Sequence, residues 1–141
     1  MTPAQPQLFI LDDDSAHRRL IIRAFKKAGV VATFLEASCL QEARSMIFHE
    51  TEPVSPDVFI IDLNLGDGRG TRFIEDLRQT DTFRQTPIVV LSTSTLESDQ
   101  ADCVRAGASR YIAKSASLNE FGSHVARCVL DLLSTTDQQG Y

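Results

Sequence analysis

Tryptophan is absent from the 141 residues, and cysteine is scarce: Cys39, Cys103 and Cys128. That odd number, without a C-x-x-C spacing, excludes a disulfide framework or a zinc finger and leaves three reduced thiols of a cytosolic protein. The histidines, His17, His49 and His124, stand far apart and outside any H-E-x-x-H, which removes the common zinc hydrolases. Positive charge is in the minority, 14 basic against 19 acidic residues, for a formal net charge of −5. Nucleic acid and anionic membranes are therefore poor partners, since both demand a basic field. No apolar run is long enough to span a bilayer. The opening Met-Thr-Pro-Ala-Gln-Pro-Gln has neither the basic nor the apolar part of a signal peptide. These absences predict a cytoplasmic protein with no membrane segment.

What the chain does have is alternation. With 43% hydrophobic and 23% charged residues it is an ordinary globular sequence, of a length that suits one domain. The expected unit is 1–141, with a core at about 7–134 and flexible tails at 1–6 and 135–141. Leu8-Phe9-Ile10-Leu11 reads as a buried strand that stops at Asp12-Asp13-Asp14. Ser15 then caps a helix with apolar residues at Leu20, Ile21, Ala24, Phe25 and Ala28, ending at Gly29. Val30 to Leu35 is the second strand and Leu40 to Phe48 the second helix. Val58-Phe59-Ile60-Ile61 is the third strand and ends on Asp62. A loop punctuated by Gly66, Gly68 and Gly70 leads to a helix at Thr71 to Arg78. Ile88 to Leu91 is the fourth strand, closed by Ser92-Thr93-Ser94. A helix from about Leu96 to Ala106 stops at Gly107. Arg110 to Ala113 is the fifth strand with Lys114 at its end. Leu118 to about Leu133 is the last helix, followed by a frayed tail. Five strand–helix units of this kind predict an α/β fold, (βα)5. Right-handed crossovers give a doubly wound parallel sheet with the flavodoxin-like strand order 2-1-3-4-5.

In such sheets the functional crevice lies beyond the carboxyl ends of the strands, where the order reverses. Those ends here are Asp12-Asp13, Asp62, Ser92 and Lys114. An acidic triplet after a strand is by itself an ordinary turn. Four such groups at four strand ends are another matter. Three carboxylates at the switch point would repel one another unless a cation intervened. A hard divalent ion with oxygen ligands, Mg²⁺, suits them, and the hydroxyl and ammonium complete a pocket for a phosphoryl group.

The motifs L-D-D-D-S-A-H-R-R-L (11–20), P-D-V-F-I-I-D-L-N-L (56–65), P-I-V-V-L-S-T-S (87–94) and R-A-G-A-S-R-Y-I-A-K (105–114) resemble those of bacterial response-regulator receivers, from about Leu8 to Leu133. That resemblance implies that Asp62 is the phosphoacceptor and that Asp12 and Asp13 organise Mg²⁺. It makes Asn64 the donor of a backbone carbonyl to the metal, Ser92 the switch hydroxyl, Lys114 the family's lysine and Tyr111 the rotating aromatic. It implies a histidine kinase as phosphoryl donor and a downstream protein as receiver of the signal. The chain departs from the family at Gly66, where proline is usual, and at Lys114-Ser115, where Lys-Pro with a cis bond is usual. Before serine a cis bond would cost about 3–4 kcal/mol, so the bond is either trans with a rebuilt loop or held cis by the fold. Lys-Ser here, with Ser-Thr-Ser after the fourth strand, is similar to the small receivers that partner bacterial phytochromes.

Surface patterns give three further expectations. On the last helix, Leu118, Phe121, Val125, Cys128, Val129 and Leu132 form one apolar stripe, while Gly122, Ala126 and Leu130 form a second, with Leu133 nearby. The second stripe is a candidate homodimer or partner face. Ile22 among Arg18, Arg19, Arg23 and Lys26 is a candidate kinase-docking surface. His17, close to the aspartates, reads as a partly buried spacer that could also tune dephosphorylation or metal affinity. Two enzyme classes fit less well: a haloacid-dehalogenase-type phosphatase needs a second Asp where Asn64 stands, and a flavodoxin-like binder needs a phosphate loop that Asp12-Asp13-Asp14 would repel. The remaining alternative is a receiver-fold binding module that signals by protein contact without phosphorylation.

Overall fold

The structure, a computed structural model, describes residues 5–49, 51–52, 54–114 and 117–139. Its elements in chain order are β1 (Gln7–Leu11), α1 (Ser15–Lys27), β2 (Thr33–Ala37), α2 (Leu40–Ile47), β3 (Val58–Asp62), β4 (Asn64–Leu65) and β5 (Gly68–Arg69). They continue with α3 (Thr71–Gln79), a 3-10 turn (Asp81–Phe83), β6 (Ile88–Ser92), α4 (Glu97–Ala106), β7 (Arg110–Ala113) and α5 (Leu118–Gln139). Five strands form one sheet in the order β2-β1-β3-β6-β7, all pairings parallel, which is the predicted 2-1-3-4-5.

Alternation along the strands builds two cores. Phe9, Leu11, Phe59, Ile61, Ile88 and Val90 face one side, together with Ala43 and Ile47 of α2, Phe73, Ile74 and Leu77 of α3, and Cys103 of α4. Leu8, Ile10, Val58, Ile60, Val89 and Leu91 face the other, with Ile21 and Phe25 of α1 and Phe121, Val125 and Val129 of α5. Both faces of the central strands are covered, which is why they read as unbroken apolar runs.

Several boundaries differ from the sequence reading, each for a local reason. Asp14, not Ser15, caps α1: its Oδ1 accepts from the Ala16 N–H at 2.9 Å. β2 begins at Thr33 rather than Val30, because the Val30 N–H is spent on the Phe25 carbonyl (3.0 Å) in closing α1. The glycine loop contains an antiparallel hairpin, β4 with β5. α5 runs on to Gln139, past the expected end near Leu133; no glycine or proline intervenes before Gly140. The Lys114-Ser115 bond and the side chain of Leu118 lie outside the described residues.

The surface expectations change as well. The second stripe of α5 is largely covered by α1: Gly122 and Ala126 are buried, and a Cβ on Gly122 would lie 3.0 Å from Leu20 Cδ2. The small residues let the two helices approach, so the stripe belongs to the fold and leaves Leu130 and Leu133 half-buried. Ile22 is half-buried against the same core rather than outward. Arg18 is turned inward, donating to Glu36 Oε1 at 3.0 Å and to the Asp12 carbonyl, which leaves Arg19, Arg23 and Lys26 exposed.

Candidate active site

Each polar group at the carboxyl edge is delivered by the end of a buried strand. Asp12 follows β1, and its N–H still donates to the Ala37 carbonyl of β2 (3.1 Å). It is fully buried. Its Oδ1 accepts from the Asp14 N–H at 2.9 Å, which bends the chain from β1 into α1. Asp62 closes β3 and is 5% exposed; its Oδ1 accepts from the Asn64 N–H at 3.3 Å. Ser92 closes β6, is fully buried, and its Oγ accepts from the Ser94 N–H at 3.0 Å. Lys114 follows β7 through an N–H bond to the Ser92 carbonyl (2.7 Å). The sheet thus brings four distant points of the sequence to one edge.

The centre of the cluster is the Lys114 ammonium. Its Nζ lies 3.2 Å from Asp12 Oδ2 and 3.2 Å from Asp62 Oδ2. Asp13 is exposed, yet one carboxylate oxygen each from Asp12, Asp13 and Asp62 falls within a 4.8 Å span. Burial pushes the Asp62 carboxyl up to about 6; the Lys114 ammonium opposes that rise, and neighbouring Asp12 adds to it. A carboxylate driven toward its neutral form beside two others, with lone pairs left over, is a donor set for a hard cation. The residues therefore suit a hard divalent cation such as Mg²⁺ by ligand chemistry. Asn64 stands exposed in β4, next to this group.

Tyr111 is half-buried against the α2–α3–α4 core, and its hydroxyl donates to the Ser94 carbonyl at 2.7 Å. Asp99, in the first turn of α4, pairs with Arg69 of the hairpin at 3.0 Å. Sequence reasoning missed this chain from hairpin to α4 to β7, because the two-residue strand that Arg69 ends reads as loop and Asp99 lies inside a helix. It also underrated His17, whose Nδ1 lies 3.2 Å from Lys114 Nζ. The only sequence signal was its place one turn into the helix that the aspartates begin.

Residues 8–126 match the response regulator receiver domain, and the chain belongs to that family. Among curated relatives it is similar to the KDP operon transcriptional regulatory protein KdpE of Escherichia coli K12, 36% identical over 113 residues, covering 80% of this chain and 46% of KdpE. It is also similar to the regulatory protein VirG of Agrobacterium tumefaciens, 32% identical over 120 residues, covering 81% of this chain and 40% of VirG. The chain spans less than half the length of either. Among solved structures, the phosphorylated cyanobacterial phytochrome response regulator RcpA superposes with a TM-score of 0.81 at 25% identity, covering 94% of this chain and 96% of RcpA. The Mn²⁺-bound response regulator Rcp1 shares the fold, with a TM-score of 0.76 at 22% identity over 86% of this chain and 89% of Rcp1.

Proposed function

We propose that this receiver is a phosphoacceptor: Asp62 takes a phosphoryl group from a histidine kinase in a reaction supported by Mg²⁺ at Asp12, Asp13, Asp62 and the Asn64 carbonyl. The observation that carries this is the Asp62 carboxylate, nearly buried at a strand end, with Lys114 Nζ at 3.2 Å and two further carboxylates beside it. One Asp62 oxygen attacks phosphorus in line. The new O–P bond forms as the bond to the phosphohistidine nitrogen, or to the acyl oxygen of acetyl phosphate, breaks with its electron pair. Such transfer needs positioning and charge neutralisation rather than covalent help. Mg²⁺ supplies part of that neutralisation when bound. Lys114, just past the end of β7, supplies the rest, and Ser92 donates its hydroxyl to a phosphoryl oxygen.

The reading continues outward. A Ser92 hydroxyl drawn to the phosphoryl group gives up its bond from the Ser94 N–H, and the loop that holds Tyr111 shifts with it. The new charge thereby biases the α4–β7–α5 face, where a downstream protein reads the state. The likeness to RcpA supports a phytochrome-type kinase as donor, and the exposed Arg19, Arg23 and Lys26 of α1 are the surface we assign to it. We place the protein in the cytoplasm; among the described residues no helix is long and apolar enough to cross a membrane. A homodimer through α5 would rest on Leu130 and Leu133, since α1 already covers the rest of that stripe.

The test is intact-protein mass spectrometry after incubation with acetyl phosphate and Mg²⁺, beside Asp62→Asn. The expected result is one added phosphoryl group in the wild type alone, abolished by EDTA. No addition to a folded wild type would favour a binding module that signals without phosphorylation.

A further inference from the structure

An ammonium has three N–H donors. Those of Lys114 have three acceptors at the same distance: Asp12 Oδ2, Asp62 Oδ2 and His17 Nδ1, each at 3.2 Å. Two are the expected carboxylates. The third comes from α1, an element that contributes nothing else to the cation. We propose that His17 is a positioning residue whose imidazole takes the third N–H of Lys114 and so fixes the ammonium between Asp12 and Asp62. The proposal rests on the phosphoacceptor reading and deepens it.

The surroundings of the ring support the role. Nδ1 can accept only in the tautomer that carries its proton on Nε2. Nε2 faces Asp14 Oδ2 and Nδ1 faces Asp12 Oδ2, each at 3.6 Å, so it is the Lys114 ammonium, a donor only, that selects the tautomer with a free Nδ1 lone pair. Phe121 of α5 lies 6.4 Å from the imidazole, ring centroid to ring centroid, and limits its swing. The His17 side chain is 25% exposed and Lys114 11%, so the acceptor is not readily replaced by bulk water. A lysine is a flexible four-carbon stem ending in a point charge, and two acceptors on one side leave it free to swivel. With a third acceptor behind it, the ammonium meets the oxygens of a phosphoryl group on Asp62 without first being reoriented. His17 touches neither phosphorus nor its oxygens; it acts through Lys114.

Two measurements test this. The first needs no phosphorylation: imidazole ¹⁵N spectra of the metal-free protein at mildly alkaline pH. The expected result is His17 in the Nε2–H tautomer, with an Nδ1 resonance that moves on Lys114→Met. The second follows phosphorylation by acetyl phosphate at saturating Mg²⁺ for the wild type, His17→Leu and His17→Asn, with folding checked by circular dichroism. Losing one charge-assisted hydrogen bond should lower the saturating rate of His17→Leu about tenfold. Half-saturation by acetyl phosphate and the calorimetric Mg²⁺ affinity should stay unchanged. His17→Asn, whose amide oxygen falls near the place of Nδ1, should recover most of the rate. A wild-type rate for His17→Leu, an Asn variant as slow as the Leu variant, or an Nδ1 resonance indifferent to Lys114→Met each overturns the proposal. If the wild type takes no phosphoryl group while the Nδ1 resonance still responds, the phosphoacceptor reading fails and the catalytic role of His17 with it, leaving only a structural hydrogen bond.

Discussion

Two half-buried cations sit at opposite ends of the sheet, and the protein satisfies them in opposite ways. At the carboxyl edge Lys114 sits among the carboxylates of Asp12 and Asp62. At the other end Arg78, on α3, donates to main-chain carbonyls: Nε to Gly107 at 2.9 Å, and Nη1 to Phe83 (2.9 Å), Arg84 (3.2 Å) and Thr86 (2.6 Å). Carbonyl dipoles are fixed by the backbone and do not titrate, so Arg78 is a staple between the 3-10 turn, the start of β6 and the end of α4. Carboxylates change with protons, metal and phosphoryl groups. A cation held by them is balanced against its conditions, and that sensitivity is what a switch requires.

The largest effect should fall on the staple. Arg78→Ala strands several carbonyls in a half-buried site and removes the stem that packs beneath them, at a cost of about 4 kcal/mol. Urea unfolding should show that loss unchanged by Mg²⁺ and by pH between 5 and 8. A loss relieved by Mg²⁺ would erase the contrast between the two ends.

Lys114→Met should cost less, about 2–3 kcal/mol without metal at neutral pH, because it leaves two buried carboxylates facing each other. Here the conditions matter. Mg²⁺, or acid that protonates Asp62, should restore most of the stability. Phosphorylation by acetyl phosphate should stay slow even when the fold is rescued.

Asp62→Asn should act in the other direction. The Asp62 carboxyl, with an ordinary value of 3.8, is raised to about 6 in the folded protein, so the folded state holds its proton more tightly than the unfolded one. Stability from that proton is fully present below 3.8 and is lost as pH rises toward 6, staying lost above. A rise to about 6 corresponds to roughly 3 kcal/mol, a net figure in which the opposing pull of Lys114 is already counted. We expect the metal-free variant to be about 2 kcal/mol more stable than wild type at neutral pH, a gap that closes as pH falls below 4. Mg²⁺ should narrow the gap by stabilising the wild type. A gap that widens in acid would mean that burial does not dominate the carboxyl.

The same contrast explains what the sequence disclosed. Strand ends were legible because an unbroken apolar run such as Val58 to Ile61 can only be a covered strand, and a carboxylate directly after it must stand at the sheet's edge. Asp12, Asp62, Ser92 and Lys114 came from that logic. Arg78 did not: its partners are carbonyls, which carry no residue identity and leave no mark in a sequence. Nor did His17, since the third acceptor of a lysine is fixed by where α1 packs, not by spacing. The stripe of Gly122, Ala126 and Leu130 was visible as a pattern, but the same pattern serves a partner helix or the chain's own, and only the position of α1 decides. The α5 end was misplaced because Ser134 to Asp137 have modest helix propensity, yet no glycine or proline stands among them to end the helix.

The smallest effect probes the staple from its far side. Gly107 ends α4 with φ +118°, and a Cβ there would lie 2.6 Å from Arg78 Cγ. Gly107→Ala should therefore cost about 1–2 kcal/mol, part from the left-handed backbone and part from displacing the arginine stem. In an Arg78→Ala background the second part disappears, so the double variant should be more stable than the two single losses predict, by about 0.5–1 kcal/mol. Thermal or urea unfolding of the four proteins gives that coupling directly. Strict additivity would mean the glycine is required by backbone conformation alone, and that Arg78 reaches the Gly107 carbonyl with room to spare. A matched cycle of Gly107→Ala with Lys114→Met should show no coupling, because nothing but the rigid sheet joins the two ends.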